Sequence, residues 1–262
     1  MTDPIDARHA LACSIARDAG AAALAFFEAR EALVIEAKAT PQDVVSHADR
    51  EVEALVRVRI AADFPDDGII GEEDAPKAGS SGFTWVIDPI DGTMPFLSGL
   101  PHWCVAIALV EGDRTVAAAT YAPVLGHLFE ARRGAGFRRD GTPHRVSGTL
   151  ELTGAMTAIG ASHRTPASEV AEIVLRLMEA GGVFYRNGSG ALMLAEVACG
   201  GLAGYFEPHM NAWDCLGGLL MVDEAGGTTL GVDMPVMLTS GGRVLAAAPR
   251  VYGPLARFSG TG

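Results

Sequence analysis

The spacing of apolar residues in the first sixty positions predicts two amphipathic helices. Between Ile5 and about Arg30, apolar side chains recur at steps of three and four, which places them on one helical face. A second helix is predicted from about Ser46 to about Asp63, since Ser46 suits an N-cap and Asp49 follows three residues later as an approximate capping box. Its inward-facing residues are predicted to be Val52, Leu55, Val56 and Ile60.

Beyond residue 68 the apolar runs shorten to the length of strands. The predicted strands are residues 69–71, 84–88, 103–111, 115–123 and 126–131. Gly112-Asp113 and Asp140-Gly141 are strong turn signals within this part. Consecutive short strands joined by turns indicate an antiparallel sheet.

The second half alternates between helical and strand patterns. The predicted helices are residues 169–180, 189–199 and 214–225, and the predicted strands are residues 183–185 and 204–207. Two long helices, a run of strands and then an alternating half predict a layered α/β protein with two subdomains. We place the subdomains at residues 1–145 and 146–262.

Composition and charge narrow the class of protein. Hydrophobic residues make up 49% of the 262 residues and charged residues 20%, which is typical of a globular protein. The formal net charge of −12 disfavours binding to nucleic acid or to an anionic membrane surface. An anionic substrate would therefore require a bound cation to invert the local charge.

Cysteine usage and hydropathy predict a soluble cytoplasmic protein. The four cysteines lie far apart, with neither a CxxC pair nor a zinc-like cluster with histidine, so we interpret them as reduced thiols. The N-terminal residues have no basic and apolar regions of a secretory signal. No uncharged apolar run is as long as a membrane span; residues 183–206 come closest, interrupted by Arg186 and Glu196.

Several acidic residues follow predicted strands. Glu72 comes after one apolar strand, Asp88 comes after the next, and Asp91 follows a Pro-Ile turn. Most Asp-Pro and Asp-Gly pairs are ordinary turns and caps, and each acid taken alone is open to that interpretation. Carboxylates aimed at one point, however, require a cation to offset their repulsion. Oxygen ligands without cysteine or histidine favour magnesium over zinc.

The nine residues WVIDPIDGT at positions 85–93 resemble the signature of the inositol monophosphatase family, lithium-sensitive and magnesium-dependent phosphatases. Similar elements occur in family order at residues 38–49 (KATPQDVVSHAD), 71–73 (GEE) and 213–227. The resemblance covers about residues 10 to 250. It implies an α/β fold, a layered α-β-α-β-α sandwich of the sugar-phosphatase type. Its N-terminal half would hold an antiparallel sheet, and its C-terminal half a smaller mixed sheet. It also implies a homodimer.

The resemblance also implies roles for individual residues. The metal ligands for two or three magnesium ions would be Glu72, Asp88, the carbonyl of Ile90, Asp91 and Asp214, with Glu73 near the weakest ion. The attacking water would be oriented by Asp49 and Thr93, and Glu72 would assist its deprotonation. The phosphate and the alcohol would contact Asp91, Gly92, Thr93, Ser189, Glu207 and Asp214.

These roles imply a magnesium-dependent phosphomonoesterase that hydrolyses a small polyol or amino-alcohol monophosphate by direct attack of a metal-activated water. Inositol monophosphate is the first candidate substrate, followed by histidinol phosphate and 3'(2'),5'-bisphosphate nucleotides. A regulatory binding partner with residual activity is a separate alternative. A calcium-binding acidic domain is less compatible, because no EF-hand pattern is present.

The sequence departs from the family pattern in two places. Met94-Pro95 stands where asparagine usually precedes the phenylalanine, and Met193 stands where many relatives have an acid. Proline suits the first turn of a helix, so we expect the metal site to tolerate the first change. Trp103 and His102 are open to two interpretations: they line the edge of the pocket, or they belong to core packing or a surface turn.

Overall fold

A computed structural model describes residues 3–33, 35–37, 44–148 and 150–260 of the chain. The first half of the early segment that resembles the family, residues 38–43 of 38–49, lies outside the described residues. Two short strands flank it, β1 at Ile35–Ala37 and β2 at Val44–Ser46, and they pair antiparallel.

The larger helices confirm the predicted periodicities. The helices are α1 (Pro4–Glu28), α2 (His47–Asp63), α3 (Thr93–Leu97), α4 (Ala167–Glu179), α5 (Gly190–Ala198), α6 (Ala212–Glu224), α7 (Met234–Ser240) and α8 (Pro249–Ser259), with a 3-10 turn at Arg30–Ala32. Helix α1 begins where Asp3 accepts a hydrogen bond from the N–H of Ile5 at 3.0 Å and where Pro4 needs no N–H partner. The short helices α7 and α8 were missed by sequence reasoning.

The first sheet occupies the N-terminal half. Its strands are β3 (Gly68–Gly71), β4 (Phe83–Asp91), β5 (Cys104–Glu111), β6 (Arg114–Ala122), β7 (His127–Arg132), β8 (Gly136–Arg139) and β9 (Thr142–Pro143), and they lie in that order. The pairs from β4 to β9 are antiparallel, as expected, whereas β3 and β4 run parallel. A parallel neighbour brings the C-terminal ends of β3 and β4 to the same edge.

The second sheet is smaller and mixed, as the resemblance implies. Its strands are β10 (Met156–Ile159), β11 (Val183–Tyr185), β12 (Gly204–Met210), β13 (Thr228–Thr229) and β14 (Gly242–Ala247), in the order β11-β10-β12-β14-β13. Strand β10 pairs parallel with β11 and β12, while β14 pairs antiparallel with β12 and β13. Strands β10, β13 and β14 were not predicted.

The two sheets and three helical layers form the expected α-β-α-β-α sandwich. Alternate residues of β5 show the layering: Val105 and Ile107 join α1 and α2, whereas Ala106 and Ala108 join α5 and α6. The second sheet closes the other side of α5 and α6 and carries α4 and α8 on its outer face. A continuous hydrophobic cluster thus joins both halves, and the boundary at residue 145 stays a prediction.

Helix α1 corrects our expectation about membrane-span candidates. Among the described residues it is long and apolar enough to cross a membrane by length and composition alone. Residues 183–206, which we expected to come closest, instead contribute to β11, α5 and β12. One face of α1, including Ile15 and Ala19, is fully buried against the first sheet and α2, as in the core helix of a globular protein.

Candidate metal centre and active site

Strand β4 carries two of the predicted carboxylate ligands, and a bulge puts them on one side. We expected Asp91 to follow a turn, but the strand continues through Asp88 to Asp91. The pairing with β5 shifts, because Asp88 lies opposite Ala106 and Asp91 lies opposite Cys104, three steps against two. Residues three apart on a regular strand face opposite sides, and the extra residue of a bulge reverses this. The bulge therefore allows both carboxylates to face one point.

The third carboxylate comes from the C-terminal half. Asp214 lies in the first turn of α6 and accepts a hydrogen bond from the N–H of Asn211 at 3.0 Å. One oxygen each from Asp88, Asp91 and Asp214 lies within 4.8 Å of the others. The structure thus brings together acids separated by more than a hundred residues in sequence.

Burial makes this cluster costly without a cation. Asp88 is 1% exposed, and its pKa is raised well above its usual range by burial first and then by Glu72, Asp91 and Asp214. Burial and the neighbouring Asp91 raise the pKa of Asp214 to about 7. A hard divalent cation fits this set of oxygen donors, since it would allow all three groups to ionise.

The carboxylate of Asp91 also accepts hydrogen bonds from residues at the N-terminus of α5. The hydroxyl of Ser189 donates a hydrogen bond to Asp91 Oδ2, and the N–H groups of Ala191 and Gly190 donate to the same carboxylate at 2.8 and 3.3 Å. Ser189 Oγ also accepts from the N–H of Leu192 at 3.3 Å, as an N-cap. These bonds oppose the effect of burial on Asp91, whose pKa is nevertheless raised. Ser189 is fully buried, and its hydrogen bond holds the carboxylate of the predicted metal ligand Asp91 in position.

The turn after Asp91 requires glycine. Gly92 has φ +93°, and a Cβ there would lie 2.9 Å from the carbonyl oxygen of His102 and 3.1 Å from Cβ of Ser189. Helix α3 follows, and the hydroxyl of Thr93 donates to the carbonyl of Ile90 at 3.3 Å. Pro95 is buried in the first turn of α3, where its missing N–H removes no helical hydrogen bond.

Aromatic residues pack behind this turn. Trp103 is fully buried, with ring centroids 4.9 Å from Phe96 and 5.4 Å from Phe27. Of the two roles considered for Trp103, the structure supports core packing. The aromatic group holds α3 against β5 and thereby fixes the position of Thr93.

Glu53 organises the segment after β3 and was missed by sequence reasoning. Its buried carboxylate accepts hydrogen bonds from the N–H groups of Glu73 at 2.8 Å and Asp74 at 3.1 Å. A Cβ on Gly71 would lie 2.2 Å from Glu53 Oε1, so glycine is needed beside it. Glu53 lies one helical turn after the predicted site residue Asp49 on α2, and this spacing is the sequence signal that could have identified it. Both side chains are buried. Glu72 itself is close enough to Asp88 to raise the pKa of that carboxyl.

A cavity of about 120 Å³ adjoins the carboxylates. Its lining residues are Asp91, Gly160, Ala161, Arg186, Gly188, Gly190, Met193, Glu207, Met210 and Asp214. Burial raises the pKa of Glu207 to about 7, against the opposing hydrogen bond that the hydroxyl of Tyr205 donates to it. The lining includes Glu207, which is a predicted site residue, and Arg186, which was predicted only to interrupt an apolar run. Arg186 is itself exposed, and no sequence signal marked it as part of the cavity wall.

The two thiols near the site are buried, and their pKa values are raised. Cys104 Sγ lies 3.7 Å from Asp91 Oδ2, and Cys215 Sγ lies 3.2 Å from the carbonyl oxygen of Asn211. Burial raises the pKa of both thiols well above their usual range, so both remain protonated. The site therefore supplies carboxylates and backbone donors rather than a thiolate.

Comparisons with known proteins find relatives that match nearly the whole chain. The model of the inositol monophosphatase family matches residues 6–257. The Haemophilus influenzae protein named Nus factor SuhB is 36% identical over 244 residues, 92% of this chain and 91% of that protein. Extragenic suppressor protein suhB from Bartonella henselae has a similar structure, with a TM-score of 0.90, 30% identity and coverage of 98% and 99% of the two chains. Inositol monophosphatase from Anabaena has a TM-score of 0.82, 29% identity and coverage of 98% and 96%.

Proposed function

The chain belongs to the inositol monophosphatase family, and on that premise we propose that it is a magnesium-dependent phosphomonoesterase acting on a small polyol or amino-alcohol monophosphate. The observation that carries the proposal is the convergence of Asp88, Asp91 and Asp214 within 4.8 Å beside a cavity. Membership of the family supports phosphatase activity. Dependence on magnesium and the class of substrate are parts of the proposal.

The proposed ligands are oxygen donors from three parts of the chain. They are Glu72, Asp88, the carbonyl of Ile90, Asp91 and Asp214. Bound magnesium would lower the pKa of a water and neutralise charge on the phosphate and the leaving oxygen. Two or three ions per site would match the number of carboxylates, since each ion needs several oxygen ligands.

The chain's own residues have positioning roles. We propose that Asp49 and Thr93 orient the attacking water and that Glu72 assists its deprotonation. The N–H groups of Gly92 and Thr93 would hold the phosphate at the turn before α3. The protonated, buried thiols of the site support direct attack by water without a covalent intermediate.

Substrate choice depends on the cavity wall. Glu207 would accept a hydroxyl or amine hydrogen of the alcohol portion, and Asp214 lines the same space. Arg186 adds a cation at this wall and is suited to a second oxyanion or a hydroxyl. We place inositol monophosphate first, with histidinol phosphate and 3'(2'),5'-bisphosphate nucleotides as alternatives.

Phosphate release tests the proposal directly. The purified protein is incubated with inositol 1-phosphate, histidinol phosphate or 3'-phosphoadenosine 5'-phosphate, with and without magnesium, and then with added lithium. We expect magnesium-dependent, lithium-inhibited turnover that is greatest for inositol 1-phosphate. Absence of turnover with all three would refute the enzyme assignment, and turnover in the presence of a chelator would refute the metal assignment. Asp113→Asn, at an exposed acid on a turn, is the matched control for variants of the site.

A regulatory binding role is a second candidate. It is favoured by the name Nus factor that several relatives share, at 34–38% identity. Complementation of a gene deletion distinguishes the two roles. The wild type and Asp88→Asn would complement equally if binding is the essential function, whereas only the wild type would do so if phosphate release is essential.

We also propose a homodimer in the cytoplasm. Apolar side chains are exposed at the edge of the second sheet, where Met156 and Val183 are paired neighbours on β10 and β11 and Phe184 is 40% exposed. Leu175 and Met178 on α4 are exposed as well. A second copy of the chain would bury these side chains. Light scattering should give a dimer for the wild type and a monomer for Val183→Asp, and a monomeric wild type would contradict the proposal.

A further inference from the structure

A second group of possible ligands lies between α1 and β7, outside the phosphatase cavity. His9 and Cys13 are one turn apart on α1, and Glu130 faces them from β7. Cys13 Sγ lies 3.7 Å from His9 Nε2 and 3.2 Å from Glu130 Oε2, and His9 Nε2 lies 3.3 Å from Glu130 Oε2. The three atoms thus form a compact triangle of sulfur, nitrogen and oxygen.

The size of this triangle matches one face of a zinc tetrahedron. Tetrahedral zinc with ordinary bond lengths to cysteine, histidine and carboxylate separates its ligands by about 3.6 Å for S···N, about 3.5 Å for S···O and about 3.3 Å for N···O. Each observed edge lies within about 0.3 Å of these values. A cation could therefore be held with little movement of the backbone.

We propose that His9, Cys13 and Glu130 bind a divalent cation of the zinc class, with water as the fourth ligand. One thiolate and one carboxylate would balance the two charges of the cation, and the imidazole would add a neutral donor. The side chains of His9 and Glu130 are each 20% exposed, which leaves a path for the ion and a place for the water. A set of three protein ligands with water in the fourth position is one of the coordination patterns that zinc adopts in proteins.

The surroundings are compatible with the cation. Burial lowers the pKa of His9, so the imidazole is neutral and its nitrogen is available. Burial, together with Glu130, raises the pKa of the Cys13 thiol, so binding would release the thiol proton rather than capture a free thiolate. The nearby guanidinium of Arg132 is paired with Asp3 and Asp6, which offset its positive charge.

Cobalt tests the site independently of the phosphatase. Co²⁺ replaces Zn²⁺ in such sites and gives a thiolate charge-transfer band that carboxylate ligands cannot produce. Titration of the full chain with Co²⁺ should give one such band per chain, and Zn²⁺ should abolish it. Cys13→Ser should remove the band, whereas Cys104→Ser, which alters the cysteine beside Asp91, should retain it.

Further variants and a stability measurement complete the test. His9→Gln and Glu130→Gln should each weaken Zn²⁺ binding at least tenfold, measured by competition with a chromophoric chelator. Zn²⁺ should raise the Tm of Asp88→Asn but not of Asp88→Asn/Cys13→Ser. Circular dichroism in the presence of EDTA checks that every variant is folded. Absence of the band in the wild type, or its loss only in Cys104→Ser, would overturn the proposal. Neither result bears on magnesium-dependent phosphate release.

Discussion

The hydroxyl of Ser189 donates a hydrogen bond to the carboxylate of Asp91, although the two residues are 98 positions apart. The bond joins the bulged end of β4 in the N-terminal half to the first turn of α5 in the other half. The N–H of Ala191 donates to the same oxygen at 2.8 Å. A predicted metal ligand is therefore also one of the contacts between the two halves, so a change at this site is expected to affect both the stability of the protein and its chemistry.

Ser189→Ala tests this connection. The variant loses a hydrogen bond to a carboxylate, which stabilises by about 1.5–3 kcal/mol, together with the N-cap of α5. We expect the free energy of unfolding to fall by about 2 kcal/mol, measured by urea denaturation. Ser189→Thr keeps the hydroxyl and is the control. Equal stability of Ser189→Ala and the wild type would show that the bond is not stabilising.

Asp88→Asn should separate activity from stability. Asp88 is buried beside Glu72, Asp91 and Asp214, so removal of its charge relieves repulsion when no cation is bound. We expect loss of phosphate release, with a Tm in EDTA equal to or above that of the wild type. A large fall in Tm would contradict the repulsion argument. Asp113→Asn, which changes an exposed acid, should alter neither quantity by much.

Gly92→Ala tests the turn that precedes α3. The positive φ strains any other residue by about 1 kcal/mol, and the contacts with His102 and Ser189 add to this. Gly82→Ala is the matched control, because Gly82 has φ +89° but no atom within 4 Å of the added Cβ. We expect Gly92→Ala to unfold at lower urea than Gly82→Ala and to lose phosphatase activity. Similar midpoints for both variants would argue against the close contacts.

Asp67 gives a pH-dependent prediction away from the metal centre. Its carboxylate accepts hydrogen bonds from Arg8 at 2.7 and 2.8 Å and from Trp85 Nε1 at 2.8 Å. Burial alone would raise the pKa of Asp67, but these bonds and one from Ser81 outweigh it, so the pKa is lowered from 3.8. The stabilisation is therefore fully present above pH 3.8 and is lost as the pH falls through the pKa of the folded state.

Asp67→Asn should accordingly cost about 3–5 kcal/mol at pH 7, because it leaves Arg8 buried without its counter-charge. The difference from the wild type should shrink as the pH falls below 3.8, since protonated Asp67 resembles asparagine. Urea unfolding at a series of pH values measures this. Asp66→Asn, at the exposed neighbouring acid, serves as control. A difference that is constant with pH would exclude the charge of Asp67 as the cause.

The amino-acid sequence by itself determined the elements whose pattern is local. The steps of three and four in α1 and the short apolar runs of β5 and β6 were predicted to within a few residues, because periodicity records which face of an element is buried. The signature at residues 85–93 identified the family, and the family implied the five layers. The acids of the candidate centre were named on the same basis, and their roles stay predictions.

Only the tertiary structure decided which side chains meet. The bulge that turns Asp88 and Asp91 to one side depends on the pairing of β4 with β5. The support of Glu53 for the segment after β3, and the triangle of His9, Cys13 and Glu130, each join residues from different elements. A sequence pattern records burial along one element, whereas contacts between elements depend on register and packing, which no local period encodes.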